Sequence, residues 1–276
     1  MLRRRDFLGG LGVAAVGGWA SPAGAARLDT IGLQLYTVRR DLEKDFDGTL
    51  AQVAQVGFRE VELAGLFGRT PKDVRASLER HGLKAPSMHA DLPEIETGFA
   101  RTLEAGTALG VRYVICAWFA PEERRSLDDY KKHAGTFNRA GEEAKKVGIQ
   151  FGFHNHDFEF VPLEGVVPYD LLLKETDTSL VQMEMDLYWI TKAGADPLHY
   201  FRQYPGRFPL VHVKDMDRTP KKFFTEVGKG VVDFRRVFAQ ASLAGIRHYF
   251  VEQDETPGPA IDSARESYQY LKSLDF

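Results

Sequence analysis

The chain has 276 residues, of which 43% are hydrophobic and 27% are charged, with a single cysteine and a formal net charge of −3. This composition provides enough apolar residues for the core of one large domain and excludes a disordered or collagen-like chain. A single cysteine excludes an internal disulfide framework and a multi-cysteine metal cluster. The slightly negative charge argues against nucleic acid as a partner.

Residues 1–26 have the features of an export signal rather than of a folded element. An arginine cluster precedes a mildly apolar, glycine-rich run over residues 9–20, and Ala23-Gly24-Ala25 forms a small-residue cleavage site. The string Arg4-Arg5-Asp6-Phe7-Leu8 resembles a twin-arginine signal. Because the apolar run is shorter than about 18 residues, no stable membrane anchor is expected. We therefore predict a periplasmic protein, cleaved after Ala25, whose residues 27–276 form a single domain.

A regular alternation of short apolar runs and longer amphipathic runs begins near Asp29. This pattern predicts strand–helix units that form a parallel sheet. The predicted strands are Ile31–Tyr36, Glu60–Leu63, Ala85–His89, Tyr113–Trp118, Gln150–His156, Val181–Asp186, Leu210–Lys214 and Tyr249–Asp254. The predicted helices are Gly48–Gln55, Pro71–Arg80, Phe99–Leu109, Asp128–Lys146, Tyr169–Lys174, Pro197–Gln203, Phe234–Ala244 and Ala264–Leu271.

Eight strand–helix units in about 250 residues match the size of an α/β protein of the (β/α)₈ TIM barrel type, which is the predicted fold. An open, doubly wound parallel sheet is the alternative. Such a sheet normally carries a glycine-rich phosphate loop after its first strand. Here the first strand is followed by Tyr36-Thr37-Val38-Arg39, which contains no glycine.

Polar side chains concentrate where the last four predicted strands end. Because side chains two residues apart share one face of a strand, each of these strands brings a polar pair to one rim of the barrel. Buried, unpaired charges are costly, and a divalent cation bound among them would offset that cost. Mixed His and carboxylate ligands favour Mn²⁺, Co²⁺, Fe²⁺ or Zn²⁺, with Mg²⁺ a further candidate, over Ca²⁺. The pairs are His154 and His156, Glu184 and Asp186, His212 and Lys214, and Glu252 and Asp254.

These strand ends resemble those of the xylose isomerase-like TIM barrels of the sugar phosphate isomerase/epimerase family, and the string around His154 is similar to that of an exported subgroup. The resemblance extends over the whole mature chain. It is carried by Gly32-Leu33-Gln34-Leu35-Tyr36-Thr37, Phe153-His154-Asn155-His156-Asp157-Phe158-Glu159-Phe160, Met185-Asp186-Leu187-Tyr188-Trp189, Val211-His212-Val213-Lys214-Asp215 and Val227-Gly228-Lys229-Gly230.

The resemblance implies one divalent metal ion, held by ligands from the fifth to the eighth strand that are usually Glu, Asp, His and Glu. Asp186, His212 and Glu252 match this set, but His154 stands where many family members have Glu. His154 is therefore predicted as the first ligand. Glu159, which lies beyond the fifth strand and would have to reach back, is the alternative.

The resemblance also implies an isomerase or epimerase that acts on a sugar or keto-sugar through an enediolate. Glu252 is the first candidate for the base that removes the proton, His156 and Glu159 are the second, and Lys214 is a candidate for oxyanion stabilisation. Because His154 replaces one carboxylate of the epimerase pair, a lyase, hydratase or dehydratase acting on 3-keto-sugars or keto-polyols is the alternative. A metal-dependent nuclease on the same barrel and a non-catalytic periplasmic sugar-binding protein are further alternatives.

Five more rim residues are predicted to contact a small carbohydrate substrate: Tyr36, Glu62, His89, Trp118 and Trp189. The apolar C–H face of a sugar stacks on aromatic rings, although aromatic residues at these positions are also consistent with simple packing. No cluster of Arg or Lys marks a phosphate site, so we expect a substrate without a phosphate group.

Overall fold

The computed structural model describes residues 26–276, and residues 1–25 of the predicted export signal lie outside this described part. Eight parallel strands close into a barrel in sequential order, and the last strand pairs with the first. At this closing seam Gly32 pairs with Phe250. The predicted TIM barrel is confirmed, and the open sheet is wrong. The strands are β1 (Gly32–Gln34), β2 (Glu60–Leu63), β3 (Lys84–Ala90), β4 (Tyr113–Cys116), β5 (Gln150–His154), β6 (Val181–Asp186), β7 (Leu210–Val213) and β8 (His248–Val251).

Helices cover the outside of the barrel, and their ends follow from local capping. Thr70 accepts a hydrogen bond from the amide of Asp73 at the start of one helix, and Ser126 and Asp129 form a reciprocal capping box at the start of another. Within residues 26–276, none of the helices is long and apolar enough to cross a membrane. The α-helices are Arg39–Lys44, Phe46–Val56, Pro71–Arg80, Leu92–Thr97, Phe99–Leu109, Leu127–Lys146, Pro168–Glu175, Leu187–Lys192, Pro197–Gln203, Phe234–Phe238, Ala241–Ala244 and Ala260–Ser273, and the 3₁₀ helices are Leu35–Val38, Pro121–Glu123 and Phe158–Phe160.

The predicted element bounds are wrong at several strand ends that carry polar residues and at several helix ends, most of all at the last helix, which is Ala260–Ser273 and not Ala264–Leu271. The first strand stops at Gln34 because the Gln34 side chain accepts the amide of Tyr36 and starts a 3₁₀ helix there. The fifth strand ends at His154, so His156 lies in the loop beyond it. The predicted helix Phe234–Ala244 is two short helices, separated at residues 239–240.

An apolar layer lies in the barrel interior below the polar rim. Leu210 and Phe250 form a separate buried cluster with two β4 side chains, and they share strand faces with His212 and Glu252 respectively. Gly32 leaves space for this cluster, because a Cβ atom there would lie 2.5 Å from the Phe250 ring. The polar rim is therefore supported from below by a packed apolar layer.

A loop that follows β7 is held together by one buried carboxylate. Asp215 accepts hydrogen bonds from four backbone amides, at distances of 2.8 to 3.1 Å. The loop includes a two-stranded antiparallel ribbon, Asp215–Met216 with Phe224–Thr225, and it places Phe224 against Tyr188 and Trp189 at the rim. The four amides belong to Met216, Gly228, Gly230 and Val232.

We predict that Gly230→Ala destabilises the protein by about 1–3 kcal/mol, the usual cost of overpacking. A Cβ atom at this position would collide with the Asp215 carboxylate and with the Met216 carbonyl oxygen, which is a backbone atom that cannot rotate away. Urea unfolding measures the change. Gly258→Ala is the matched control, because a Cβ atom there would meet no atom of residues 26–276 within 4 Å. Equal stability of the two variants would contradict the prediction.

Candidate active site

A cavity of about 470 Å³ opens at the carboxyl ends of the barrel strands. Active sites of TIM barrels lie at this end. Most of the residues predicted for the site line the cavity, whereas Asp186, His212, Glu62 and Glu159 are buried behind its surface. The predicted residues that line it are Tyr36, His89, Trp118, His154, His156, Trp189, Lys214 and Glu252.

Asp186, His212 and Glu252 place ligand atoms within 4.8 Å of one another, and we call these three residues, with His154, the outer set. Nδ1 of His212 lies 3.0 Å from Glu252 Oε2 and 3.9 Å from Asp186 Oδ2. Nε2 of His154 lies 3.8 Å from the same Asp186 oxygen. Three strands thus bring their ligand atoms together, and His154 on a fourth strand lies beside Asp186.

The outer set fits a divalent cation, because one of its oxygens lacks a partner. Asp186 Oδ1 accepts the amide of Trp189 at 2.8 Å, but Oδ2 has no hydrogen-bond partner among residues 26–276. Burial raises the pKa of Asp186 to about 7, which means that the neighbouring side chains supply too little positive charge for this carboxylate. Two imidazoles and two carboxylates form a ligand set suited to Zn²⁺, Co²⁺, Mn²⁺ or Fe²⁺.

Two fully buried carboxylates, Glu62 and Glu184, lie against the same histidines, and we call them the inner glutamates. Glu62 Oε2 lies 2.7 Å from His212 Nε2, and Glu184 Oε2 lies 3.2 Å from His154 Nδ1. His89 Nε2 contacts both carboxylates, at 3.1 and 2.9 Å. Glu62 is therefore not a rim residue that meets substrate, as predicted, but a buried partner of the site histidines.

The sequence analysis placed Glu184 on the same strand face as Asp186 but assigned a role only to Asp186. The structure adds Glu184 to the site, together with Gln34 and Ser87, which both bond to Glu62. The period-two alternation along β6 was the available signal, because Glu184 precedes Asp186 by two residues and points into the same barrel interior. No such signal identified Ser87.

Lys214 is buried and held by three acidic residues. Its ammonium lies 3.0 Å from Glu252 Oε2 and 3.9 Å from Asp186 Oδ2, and it also pairs with Asp254. Although burial opposes the charge, Glu252 and Asp254 raise the pKa of Lys214 above its usual range. Lys214 is thus a fixed cation beside the outer set, suited to stabilise negative charge on a substrate oxygen.

His156 is held between aromatic rings at the cavity wall. Its ring stacks on Phe158 at a centroid distance of 5.3 Å and lies 5.2 Å from the Trp189 ring. Its Nδ1 atom is buried and has no hydrogen-bond partner in the described residues. Burial, with a contribution from His154, lowers the pKa of His156 well below its usual value, so the ring is neutral near pH 7. A neutral imidazole in a cavity wall has a ring nitrogen that can accept a proton, although its lowered pKa makes it a weaker base than an exposed histidine.

Glu159 does not reach the outer set. Its side chain is fully buried behind the cavity wall, where Oε2 accepts the backbone amide of His156 at 2.7 Å. Among the described residues, Glu159 is not one of the side chains that lie close enough together to hold an ion. Burial raises the pKa of Glu159 to about 8. The structure therefore places Glu159 as a support for the loop that carries His156.

Glu159→Gln is predicted to change how stability depends on pH. A buried acid with a raised pKa keeps its proton in the folded state while the unfolded chain releases it, so the free energy of unfolding falls as pH rises from 4.5 to about 8. The variant should lack this fall. Urea unfolding at several pH values measures it, with Glu142→Gln, which removes an exposed carboxylate, as the control. Parallel pH profiles for Glu159→Gln and the unmodified protein would contradict the prediction.

Two exposed aromatic residues stand at the cavity mouth. Tyr36 and Trp118 are 43% and 44% exposed, and they follow β1 and β4, which are separated by two strands around the barrel. The Arg39 guanidinium covers one face of the Tyr36 ring at 3.8 Å. Exposed aromatic faces beside polar groups are suited to stack on a sugar ring.

Comparison with known proteins gives consistent matches over nearly the whole barrel. A family model described as "Xylose isomerase-like TIM barrel" matches residues 50–274. An inosose dehydratase from Lacticaseibacillus casei is 22% identical over 268 residues, which covers 83% of this chain and 89% of that protein. A sugar phosphate isomerase/epimerase from Parabacteroides distasonis superposes with a TM-score of 0.79 at 28% identity, covering 89% of this chain and 98% of that one. The IolI protein, solved with a bound zinc atom, superposes with a TM-score of 0.71 at 18% identity, covering 90% and 99%.

Proposed function

The chain belongs to the xylose isomerase-like TIM barrel family, and on this premise we propose that it is a metal-dependent enzyme that removes the proton next to the carbonyl group of a sugar or keto-polyol. The observation that carries the proposal is the outer set, whose Asp186 Oδ2 has no partner in the described part of the chain, beside the neutral ring of His156. His154, Asp186, His212 and Glu252 would hold the ion. The chemistry that such an ion supplies is Lewis-acid stabilisation of negative charge on a carbonyl oxygen.

We assign the role of the base to His156 rather than to Glu252. Glu252 Oε2 already contacts both His212 Nδ1 and Lys214 Nζ at 3.0 Å, and Glu252 would also be a metal ligand. The His156 ring lines the cavity and is neutral. In this proposal His156 takes the α-proton, and the Lys214 ammonium stabilises the negative charge that develops on oxygen.

The reaction we favour is elimination of water. His156 takes the proton from the α-carbon. It returns this proton to the hydroxyl group on the next carbon, which leaves as water while a double bond forms between the two carbons. One base therefore serves the whole reaction. His154 in place of a second carboxylate supports this single-base sequence. Independent support comes from the similarity to an inosose dehydratase, which extends over 83% of the chain.

Epimerisation or isomerisation of a sugar is the second candidate. It begins with the same proton removal and needs a second group to return the proton elsewhere. Asp254 and Asp91 both line the cavity and offer such a group. The structural similarity to a sugar phosphate isomerase/epimerase favours this candidate.

A substrate without phosphate is part of the proposal. Within the described chain, Lys214 is the only lysine or arginine that lines the cavity. Its charge is already matched by Glu252 and Asp254. One paired ammonium can donate a hydrogen bond to a single substrate oxygen, but it would not balance the double negative charge of a phosphate group.

The test is proton exchange in D₂O across a panel of keto-sugars, keto-polyols and 3-keto-glycosides, with product analysis by mass. We expect deuterium to replace the proton on the α-carbon. A product that has lost the mass of water indicates elimination, whereas a product without this loss indicates epimerisation or isomerisation. Binding of these compounds by the metal-loaded protein without exchange would identify a sugar-binding protein instead. Several bound ions per chain and cleavage of DNA would identify a nuclease.

We also propose that the protein is exported by the twin-arginine route to the periplasm. The support is the Arg4-Arg5-Asp6-Phe7-Leu8 string and the Ala23-Gly24-Ala25 site. Sequencing the N-terminus of protein isolated from its native host should give Ala26 as the first residue. Active, soluble protein that retains Met1 would contradict this.

A further inference from the structure

The two histidines of the outer set turn opposite ring nitrogens toward it. For His212, Nδ1 faces the outer set, at 3.0 Å from Glu252 Oε2, while Nε2 lies 2.7 Å from Glu62 Oε2. For His154 the arrangement is reversed: Nε2 faces Asp186 at 3.8 Å, while Nδ1 lies 3.2 Å from Glu184 Oε2. In each ring, therefore, one nitrogen contacts an inner glutamate and the other points to the outer set.

The inner glutamates are themselves held in place. Glu62 accepts hydrogen bonds from the Gln34 amide at 2.6 Å and from the Ser87 hydroxyl at 2.5 Å. The amide orientation of Gln34 is in turn set by the Tyr36 backbone N–H, which donates to Gln34 Oε1 at 3.1 Å. Both glutamates are fully buried and share the Nε2 atom of His89. Glu62 cannot rotate away without leaving the Gln34 amide and the Ser87 hydroxyl without their acceptor.

We propose that Glu62 and Glu184 determine which ring nitrogen each histidine offers to a metal ion: Nδ1 from His212 and Nε2 from His154. A ring nitrogen that donates its proton to a carboxylate has no lone pair for a metal, so the opposite nitrogen must be the ligand. The inference rests on the proposed function in one respect, which is that the outer set binds the metal ion.

The rival arrangement is an ion bound among the inner groups. His89, His154, Glu184 and His212 also place ligand atoms within 4.8 Å of one another, and Glu184 Oε1 has no hydrogen-bond partner in the part of the chain that the structure describes. An ion there would need Nε2 of His212 and Nδ1 of His154. The two arrangements therefore predict opposite nitrogens for both rings, which makes them separable by experiment.

The direct test uses the unmodified protein, labelled with ¹⁵N-histidine and loaded with ¹¹³Cd²⁺. Cadmium–nitrogen coupling identifies the ligating atoms, and metal analysis gives the number of ions per chain. We expect one ion, coupled to one Nδ1 and one Nε2, assigned through the ring protons to His212 and His154 respectively. Coupling to Nε2 of His212, or two ions per chain, would overturn the proposal.

A variant tests the role of the carboxylate itself. Glu62→Gln removes the charge that orients His212, and we expect metal affinity to fall about 10–100-fold in a chelator competition assay, the usual effect of losing such a partner. Glu60→Gln is the matched control. It lies on the same strand and also pairs with a histidine, His248 at 2.8 Å, which is on the last barrel strand and outside the outer set. Its affinity should stay as in the unmodified protein.

Unchanged affinity in a folded Glu62→Gln protein would also overturn the proposal, and the coupling measurement decides the question if that variant does not fold. The outcomes separate this inference from the proposed function. Metal coupling to Nδ1 of His212 and Nε2 of His154, with no proton exchange on any keto-sugar, would leave the inference intact and reject the function. Proton exchange with the rival nitrogens bound would do the reverse.

Discussion

Asp186→Asn is expected to lose its metal and its activity together. The substitution replaces Oδ2, which has no partner among the residues that the structure describes, by an amide group that cannot ligate. Oδ1 can still accept the amide of Trp189 and cap its helix. Loss of a neighbouring partner already lowers metal affinity about 10–100-fold, and loss of a ligand should lower it by at least that much. Metal analysis after dialysis against a buffered chelator measures affinity, and exchange of the α-proton in D₂O measures activity.

The control for this variant is Asp233→Asn, which alters an aspartate that caps another helix by accepting the amide of Arg236. It should keep metal and activity, because it is exposed and is not among the cavity-lining residues. If Asp186→Asn bound metal as tightly as Asp233→Asn, the outer set would not be the metal site.

His156→Gln is expected to lower the rate of α-proton exchange about 10²–10⁴-fold, the usual contribution of a general base, while metal content stays the same. The amide is similar in size to the imidazole but cannot take up a proton. The ring it replaces lines the cavity and is not a member of the outer set. His199→Gln, an exposed histidine on the helix Pro197–Gln203, controls for histidine loss in general.

Glu252→Gln separates the two candidate bases. If His156 is the base, this variant should lose metal affinity first and proton exchange as a consequence. If it kept its metal and lost exchange while His156→Gln retained it, Glu252 would be the base, in agreement with the sequence analysis and against the geometry.

The sequence predicted the barrel because the fold depends on local patterns that repeat. Glu60–Leu63, Val181–Asp186, Pro71–Arg80 and Phe99–Leu109 have the same bounds in prediction and structure. Each of these elements begins or ends at or near a helix cap or a glycine. The residues next to that boundary in the chain are therefore enough to predict it. The short helices Leu92–Thr97 and Leu187–Lys192 were missed, because they follow strand ends directly and are too short to show a helical period.

For the site, sequence alone identified the strand ends and the residue types that meet there, because alternation along a parallel strand determines which side chains share a face. It did not determine how deep each side chain lies. Glu62 was predicted at the rim and Glu159 as an alternative ligand, but Glu62 lies behind His212 and Glu159 supports the backbone of His156.

Only the tertiary structure decided these roles, since depth and partner depend on the tilt and stagger of all eight strands and not on any one of them. Glu62 on β2 meets His212 on β7, 150 residues away in the chain. His154 and Glu184 meet because β5 and β6 pair at that register. Which nitrogen of each histidine faces the outer set follows from these contacts between strands, whereas the identity of the residues at the rim follows from the sequence of each strand by itself.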